Sequence, residues 1–393
     1  MPDYRYLVIG GGMTADAAAR GIREIDRDGS IGIISAEPEP PYARPPLSKA
    51  LWKGDPLESI WRKTSEVRVQ LHLGRRVTTM DLRKKKAIDD AGIEYGFDKV
   101  LFATGGTPRR LPFGGDDIIY FRTLDDFRTL RAMAAPGRSF AVIGGGFIGA
   151  EIAAALAMQG CKVTMLFPEE GIGARLFPAD LARFLVDYYR GKGVEVRPGE
   201  AITGTTRREG KLTLQTRSGF EVTADAVVAG LGIIPNSDLA QAAGLAVDDG
   251  ILVDERLRTA HPDVFAAGDV ARFPAPGLGK NIRVEHEDNA VSMGRAAGRA
   301  MAGDTATFTH LPFFYSDLFD LGYEAVGETD PRGETFADWK IPFREGVVYY
   351  LGGGRVRGVL LWNTWGQVDA ARTLIAEPRR IETRDLVGRL SGQ

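Results

Sequence analysis

The sequence predicts an α/β protein with two doubly wound parallel sheets and a separate C-terminal α+β domain. An internal repeat indicates the two sheets, because the segments 6–15 and 140–149 both read as a short apolar strand that runs into three glycines. An alanine-rich helical pattern and a second strand follow each copy, which completes two βαβ units. The C-terminal domain is indicated by strands at 347–351 and 355–362 that flank three glycines as an antiparallel hairpin.

The two βαβ units are predicted in chain order from their apolar runs. In the first, a strand begins near Tyr4, a helix spans 15–25 and a strand spans 31–35, and in the second the helix spans 150–158 and the next strand 162–167. Three further strands, at 100–103, 226–229 and 264–266, end in small residues. Because ligands bind at the carboxyl ends of parallel strands, we expect cofactor contacts at Ala103, Thr104, Gly105 and Gly232.

Composition excludes several classes of function. The 393 residues are 44% apolar and 26% charged, as in folded globular proteins. Lys and Arg total 50 against 52 Asp and Glu, so the net charge of −2 provides no field to attract nucleic acid. Cys161 is the single cysteine, which excludes an internal disulfide and a Cys-x-x-Cys redox pair. Any redox chemistry must therefore use a bound cofactor.

No membrane span is predicted, although residues 140–161 form a long apolar stretch. That stretch contains Glu151 and several glycines in a strand-turn-helix pattern. A first strand near Tyr4 leaves no room for the zones of a signal peptide, so we expect a cytoplasmic protein.

The glycine repeats carry the fingerprint of dinucleotide binding. The first is Gly10-x-Gly12-x-x-Ala15 and the second is Gly144-x-Gly146-x-x-Gly149. Such a turn lets backbone approach a pyrophosphate at a helix N-terminus, and the alternative is a glycine-rich turn that only packs. Glu37 and Glu169 follow the second strands, where a carboxylate accepts hydrogen bonds from an adenosine ribose. Glu169 would repel a 2′-phosphate and favours NADH over NADPH, while Arg175 could still reach a phosphate.

The motifs between and after the fingerprints resemble those of one flavoprotein family. The motifs are Pro41-Tyr-Ala-Arg-Pro-Pro-Leu-Ser-Lys-Ala50, Gly146-Phe-Ile-Gly-Ala-Glu151, Phe265-Ala-Ala-Gly-Asp269 and Arg283-Val-Glu-His286. Together they resemble the pyridine-nucleotide-dependent flavoproteins of the ferredoxin reductase and apoptosis-inducing factor type. The C-terminal motifs Ser316-Asp-Leu, Gly322-Tyr-Glu-Ala-Val-Gly327 and Leu361-Trp-Asn-Thr-Trp365 are more similar to apoptosis-inducing factor than to putidaredoxin reductase.

The resemblance implies three domains: two Rossmann-like dinucleotide-binding domains and one C-terminal α+β domain. A split FAD domain covers 1–112 and 237–308, an inserted NAD domain covers 113–236, and the C-terminal α+β domain covers 309–393. The resemblance also implies the cofactor contacts. For FAD they are Gly10, Gly12, Ala15, Glu37, Arg44, Lys49, Ala103, Thr104, Gly105, Asp269, Glu285 and His286. For NAD they are Gly144, Gly146, Phe147, Ile148, Gly149, Glu169, Gly232 and Glu324.

Lys49, Glu151 and His286 are implied as the catalytic residues. Lys49 resembles the lysine that hydrogen-bonds flavin N5, and Glu151 resembles its carboxylate partner; without the resemblance they read as a surface lysine and an ordinary helical glutamate. The segment 285–288 concentrates donors, but adjacent residues diverge and no His-Glu-x-x-His is present, so no metal is expected. A histidine satisfied in the core is the alternative for His286. Tyr315, Trp362 and Trp365 are expected in the core of the C-terminal domain.

These inferences lead to a predicted function. We expect an FAD-dependent oxidoreductase that takes a hydride from NADH onto flavin N5 without a redox-active cysteine. Its electrons would pass to a separate acceptor, either a ferredoxin-like iron–sulfur protein, a quinone or a small molecule. The alternative is a redox-sensing flavoprotein in which NADH forms a stable charge-transfer complex that controls homodimerisation or partner binding.

Overall fold

The computed structural model describes residues 2–390, and their internal contacts form two compact units. The first unit comprises the chain up to Arg44, Leu57–Thr107 and Ile234–Pro312, and the second comprises Pro45–Pro56, Pro108–Ile233 and the chain from Phe313. These units do not decide the three predicted domain ranges, which stay a prediction. Met1 and residues 391–393 of those ranges lie outside the described residues.

The first unit is built on a sheet whose central strands are parallel. Asp3–Ile9 pairs in parallel with Ile31–Ser35 and with Glu94–Phe102, and Val264–Ala266 joins Glu94–Phe102. Apolar runs such as Leu7-Val8-Ile9 are buried on both faces, as expected of parallel strands covered by helices. The other strands of the unit are Gln70–Leu73, Val77–Asp81, Lys86–Asp89, Ile251–Leu252, Ala271–Ala275 and Lys280–Ile282.

Two helices of the first unit pack against each other at very short range. These are Met13–Ile25, which follows the first fingerprint, and Glu287–Met301. A Cβ on Gly298 would lie 2.0 Å from the carbonyl oxygen of Ala18, and one on Gly21 would lie 2.1 Å from that of Arg295. Glycine is therefore required where the two helix backbones cross. A short helix, Asp238–Ala242, completes the unit.

The second unit contains the second parallel sheet. Its strand order is Val194–Pro198, Lys162–Phe167, Ser139–Ile143, Ala226–Ala229 and Ile118–Tyr120. Three helices accompany this sheet: Leu124–Met133, Phe147–Met158 and Ala179–Gly191. A small antiparallel sheet follows, formed by Ile202–Arg208, Lys211–Thr216 and Glu221–Ala224. The short strands Gly106–Pro108 and Ile233–Pro235 lie where the chain passes between the two units.

The C-terminal part of the second unit is a five-stranded antiparallel sheet. Its order is Phe313–Leu318, Leu321–Gly327, Arg355–Trp362, Glu345–Gly352 and Glu334–Ile341, and the helix Val368–Ala376 follows. The predicted hairpin is present, but Gly352 pairs with Arg355, so the loop consists of the two residues Gly353 and Gly354. Both have positive φ, as the tight turns of twisted hairpins require.

The predicted elements are present, although the strand predicted at 100–103 is observed as Glu94–Phe102 and the strand predicted at 347–351 as Glu345–Gly352. A consistent difference concerns the starts of the two fingerprint helices. They begin at Met13 and Phe147, because Gly12 and Gly146 are the N-cap residues, rather than at the predicted Ala15 and Ala150. The predicted Rossmann-like and α+β character is therefore observed. Among residues 2–390, no helix combines the length and the apolar character that crossing a bilayer requires.

Candidate functional site

The first glycine fingerprint forms a tight turn at the carboxyl end of the first strand. Gly10 has φ +113°, and a Cβ there would lie 2.1 Å from the carbonyl oxygen of Ala103, which directly follows the neighbouring strand Glu94–Phe102. At Gly12, by contrast, a Cβ would meet no atom within 4 Å. Gly12 is the N-cap residue of the helix that contains the buried Ala15, and no side chain caps this helix, so its N-terminus borders the open space at Gly12. This arrangement fits a pyrophosphate.

The second fingerprint repeats this geometry in the second unit. Gly144 has φ +112°, and its Cβ would lie 2.4 Å from the carbonyl oxygen of Gly230. Gly146 is open in the same way as Gly12, and it caps the helix that begins with Phe147 and Ile148. A Cβ on Gly149 would lie 1.9 Å from the carbonyl oxygen of Gly144, so no larger residue fits there. The difference between Ala15 and Gly149 therefore reflects how closely each helix approaches its own turn.

Glu37 and Arg44 form one polar cluster in the first unit. The Arg44 guanidinium donates to Oε1 of Glu37, and the Tyr42 hydroxyl donates to Oε2 at 2.5 Å. Arg44 also donates to the Tyr42 hydroxyl at 3.0 Å and lies over its ring. Burial lowers the pKa of Arg44, but Tyr42, Glu37 and Asp269 oppose this effect and leave the pKa raised. The cluster therefore presents a fixed positive charge together with carboxylate acceptors, which suits a phosphate and a ribose.

Further predicted FAD contacts lie in the loops that follow the carboxyl ends of two strands of the first unit. Thr104 donates from Oγ1 to the carbonyl oxygen of Asn236 at 2.7 Å, and the Asn236 amide returns a bond to the carbonyl of Thr104 at 2.9 Å. The backbone N–H of Asn236 also donates to Gly105 at 2.9 Å. Asp269 lies in a short 3₁₀ turn after Val264–Ala266, and its carbonyl accepts from Arg283 at 3.1 Å. These loops are thus held by their own hydrogen bonds.

His286 is the N-cap residue of the helix Glu287–Met301. Desolvation lowers the pKa of His286 to about 4, although Asp269 and Asp288 act in the opposite direction. The imidazole is therefore neutral at physiological pH and can donate or accept one hydrogen bond. The carboxylate of the exposed Glu285 beside it accepts a hydrogen bond from the Arg283 guanidinium at 2.7 Å.

Lys49 and Glu151 form a buried ion pair in the second unit. Lys49 Nζ lies 2.7 Å from Oε1 of Glu151, whose side chain is only 3% exposed. The Ser316 hydroxyl donates to the same oxygen at 2.6 Å, and the Ser48 hydroxyl donates to Oε2 at 2.5 Å. Removing one member of such a pair leaves a buried charge without its partner, which costs about 3 to 5 kcal/mol.

The Glu151 charge contributes to the raised pKa of two buried tyrosines, Tyr189 and Tyr323. Burial raises the pKa of Tyr189 and of Tyr323 well above their ordinary value, and the Glu151 charge raises it further. Tyr189 donates its hydroxyl proton to the carbonyl oxygen of Ala150 at 3.1 Å. Both phenols are therefore permanently neutral, and the ion pair lies among side chains that do not titrate near neutral pH.

The predicted nicotinamide and ribose contacts are also in the second unit. Arg175 Nη2 lies 2.7 Å from Oε1 of Glu169, and Arg175 itself is exposed. Gly232 has φ +78° and open space at its Cβ position. Glu324 has one carboxylate oxygen, Oε2, that is buried without a hydrogen-bond partner among the described residues, and burial raises the pKa of this side chain. A buried acceptor or protonated carboxyl group of this kind fits a ligand amide.

The aromatic side chains near the ion pair differ from expectation. Trp362 is fully buried, as predicted, but Tyr315 is 37% and Trp365 is 53% exposed, so the prediction that they lie in the core is wrong. Tyr315 lies on the edge strand Phe313–Leu318, with its ring 5.2 Å from Lys49 Nζ, whereas Trp365 follows the strand Arg355–Trp362 and covers the backbone of Gly322. Tyr315 therefore contributes a cation–π contact to Lys49 instead of core packing.

The structure brings the predicted residues together in two sets, one in each unit. The first unit holds the first fingerprint, Glu37, Arg44, Asp269 and His286, and the second holds Lys49, Glu151, the second fingerprint, Glu169 and Glu324. The sequence reasoning missed Tyr42, Ser48 and Ser316, although all three lie inside the motifs that carried the resemblance. It also missed Asp16, a fully buried carboxylate that accepts bonds from Arg20, Arg62 and Thr64.

The residues present fit two bound dinucleotides. Each fingerprint leaves open space before a helix N-terminus that no side chain caps, and each is followed by a carboxylate after the second strand of its βαβ unit. Across residues 2–390, no group of three or more His, Cys, Asp or Glu side chains is placed to hold a metal ion. Cys161 is buried, and burial raises the pKa of its thiol.

A family model for pyridine nucleotide-disulphide oxidoreductases matches residues 4–294. Among curated proteins, the chain is 36% identical to apoptosis-inducing factor 1, mitochondrial, of Dictyostelium discoideum, across 96% of this chain and 79% of the relative. It is 34% identical to the ferredoxin–NAD(+) reductase component of the anthranilate 1,2-dioxygenase system of Burkholderia cepacia, across 94% of each chain.

The fold is also similar to a solved structure over nearly its full length. The reductase in the covalent putidaredoxin reductase–putidaredoxin complex superposes with a TM-score of 0.92 at 29% identity, covering 98% of this chain and 95% of the other.

Proposed function

The chain belongs to the pyridine nucleotide-disulphide oxidoreductase family and is an NAD(P)H-dependent flavin oxidoreductase, and from this premise we propose that it oxidises NADH and passes the electrons to a separate acceptor protein. The observation that carries the proposal is the pair of glycine turns, each with open space in front of a helix N-terminus, in a chain whose single cysteine is buried. When bound, FAD supplies the hydride acceptor and NADH the donor.

The first fingerprint is proposed to hold FAD. Gly10 and Gly12 shape the turn for the pyrophosphate, and Ala15 allows the helix to pack closely. The Arg44 guanidinium, fixed by Glu37 and Tyr42, supplies positive charge to the phosphates, while the remaining acceptor capacity of Glu37 serves the ribose. Ala103, Thr104, Gly105, Asp269, Glu285 and His286 complete the proposed set, together with Lys49.

The second fingerprint is proposed to hold NADH. Gly144, Gly146 and Gly149 shape the turn, Phe147 and Ile148 supply the first helical N–H groups, and Gly232 leaves room beside them. Glu169 would accept hydrogen bonds from the ribose hydroxyls and repel a 2′-phosphate, which favours NADH. The buried free oxygen of Glu324 supports a contact with the carboxamide.

Lys49 and Glu151 are proposed to act as one catalytic unit, with His286 as the third catalytic residue. The buried ion pair supports this proposal, because the Glu151 carboxylate holds the Lys49 ammonium in one orientation. A charged donor of this kind can hydrogen-bond flavin N5. The neutral His286 can donate one hydrogen bond without adding charge.

A ferredoxin-like iron–sulfur protein is the proposed acceptor. The names of the Burkholderia cepacia relative and of the putidaredoxin complex support this class of partner. A cytoplasmic location, where NADH is regenerated, is part of the same proposal. We also propose that the three domains follow the ranges 1–112 with 237–308, 113–236 and 309–393.

The second candidate function is a redox sensor in which bound NADH controls self-association. The 36% identity with an apoptosis-inducing factor is the observation that favours it. Anaerobic reduction of the flavoprotein with NADH, followed by mixing with ferredoxins, quinones or oxygen, separates the two functions. Rapid reoxidation by a ferredoxin supports the reductase. A long-lived, long-wavelength charge-transfer band with slow reoxidation by every acceptor contradicts it and supports the sensor.

A further inference from the structure

The carboxylate of Glu151 is held by more than its lysine partner. Ser316 Oγ donates to Oε1 at 2.6 Å, and Ser48 Oγ donates to Oε2 at 2.5 Å. The Lys49 ammonium lies 2.7 Å from Oε1 and Ser48 supplies a contact at Oε2, so both oxygens are occupied. Hydrogen bonds to an ionised carboxylate are short and strong, and these two restrict rotation of the carboxylate about its last torsion.

The two serines are themselves fixed by the surrounding structure. Ser316 is fully buried, and its backbone pairs with Tyr323 in the antiparallel C-terminal sheet. Ser48 ends the 3₁₀ turn Pro45–Ser48, and the indole N–H of Trp52 donates to the carbonyl of Leu47 in that turn at 2.7 Å. The backbone of each serine is therefore fixed, and its hydroxyl can leave Glu151 only by rotating about the Cα–Cβ bond.

Ser48 and Ser316 both bind the Glu151 carboxylate, which is distant from each of them in sequence. Glu151 lies on the helix Phe147–Met158 that follows the second fingerprint, whereas Ser48 and Lys49 lie about 100 residues earlier and Ser316 is separated from Glu151 by 165 positions. The orientation of the ion pair therefore depends on the C-terminal sheet as well as on the helix.

We propose that Ser316 and Ser48 are positioning residues for flavin reduction, which fix the Glu151 carboxylate and, through it, the Lys49 ammonium. The inference rests on the proposed function of Lys49 as the donor to flavin N5. It assigns the C-terminal sheet an indirect effect on the reactivity of the flavin, through Glu151 and Lys49, in addition to any role in binding a partner.

The experiment compares Ser316→Ala with Ser139→Ala in the FAD-loaded protein. Ser139 is a matched control in the second unit, because its hydroxyl also donates to a carboxylate, that of Asp225, at 2.7 Å, and it begins the strand Ser139–Ile143 at the end opposite to the second fingerprint. We expect Ser316→Ala to slow flavin reduction by NADH about tenfold, with NAD⁺ affinity changed less than about twofold. Ser139→Ala should leave the reduction rate unchanged.

A second readout does not depend on turnover. Displacing a positive charge from the flavin destabilises its reduced anionic form, so Ser316→Ala should make the flavin midpoint potential more negative. In a Lys49→Met background the same serine substitution should produce no further change in potential or in rate. Equal effects with and without Lys49 would show that Ser316 only contributes to packing, and would overturn the proposal.

Further variants keep the inference testable if Ser316→Ala does not fold, and they separate its failure from failure of the proposed role of Lys49. If Ser316→Ala does not fold, Ser48→Ala tests the same coupling, and Ser48→Thr should retain activity because it keeps the hydroxyl. A Lys49→Met protein with unchanged rate and potential would refute both the role of Lys49 and this inference. A clear effect of Lys49→Met with none from either serine would overturn the inference alone.

Discussion

The Glu169 carboxylate lies 2.7 Å from the guanidinium of Arg175, so the residue proposed to bind the adenosine ribose is paired with an exposed arginine. The carboxylate and the arginine have opposite preferences for a 2′-phosphate. Because Glu169 neutralises Arg175 in this pair, the protein should prefer NADH while retaining some activity with NADPH.

Replacement of Glu169 by alanine should therefore weaken this preference. The substitution removes the ribose acceptor and the repulsion of a phosphate, and it frees Arg175 to contact the phosphate. We expect the ratio of kcat/KM for NADH to that for NADPH to fall at least about tenfold, equivalent to ~1.4 kcal/mol. Glu169→Ala combined with Arg175→Ala is the control, and it should lose the gain with NADPH. An unaltered ratio in Glu169→Ala would show that another carboxylate selects the cofactor.

Arg44 should control how tightly FAD is held. Arg44→Met removes the guanidinium from Glu37 and Tyr42 and leaves a partly buried carboxylate beside the proposed phosphate site. We expect the dissociation constant of FAD to rise by a factor of about ten or more, measured by fluorescence release at increasing dilution. Tyr42→Phe removes only the phenol contacts and should have a smaller effect. Equal FAD affinity in Arg44→Met and the parent protein would contradict the assignment.

Two glycines of the second fingerprint should respond differently to alanine. Gly149→Ala would place a Cβ 1.9 Å from a backbone carbonyl oxygen, so it should lower the thermal stability of the protein and its NAD⁺ affinity together. Gly146→Ala meets no protein atom within 4 Å and should change unfolding by less than about 1 kcal/mol while weakening NAD⁺ binding. Calorimetry measures both quantities. Intact NAD⁺ binding in Gly146→Ala would mean that the open space does not receive the pyrophosphate.

Because the folded protein keeps His286 neutral, the protein should become less stable in mild acid. Its pKa is lowered to about 4 in the folded state, below the ordinary value of 6.5, so the unfolded chain binds the proton first. The free energy of unfolding should therefore be fully present above about pH 6.5 and decline as the pH falls toward 4, by up to ~1.4 kcal/mol per pH unit. Urea unfolding at fixed FAD concentration should show a shallower decline for His286→Gln. His72, whose pKa is also lowered by burial, is present in both proteins and cancels in the comparison.

The fold was accessible from the sequence because its parallel strands are buried on both faces. Such strands are mostly apolar runs, and the predicted ranges 31–35, 162–167, 226–229 and 264–266 equal the observed ones. The helix starts were placed too late, since glycine as an N-cap has no side-chain signal of its own. Tyr315 and Trp365 were misplaced because one lies on an edge strand and the other lies beyond the end of a strand, and no local pattern reveals either position.

Residues of the candidate site could be recognised in the sequence only where a residue type occurs at a characteristic distance from other residues. The glycines of the fingerprints have such a spacing, and so do the carboxylates that follow the second strands. Ser48 and Ser316 do not, because a serine that meets a carboxylate 103 or 165 positions away has the same local sequence as a serine that meets water. Asp16 is missed for the same reason: on a helix that is polar on one side, a buried aspartate resembles an exposed one until its partners Arg62 and Thr64 are in place.

The most direct test of the account is an anaerobic titration of the purified protein with NADH, followed by its visible flavin absorbance. The account predicts a yellow protein with about one FAD per chain, whose absorbance is bleached by about one equivalent of NADH, and a much slower bleaching in Lys49→Met. A protein that takes up no flavin, or a bound flavin that neither NADH nor NADPH reduces, would contradict it.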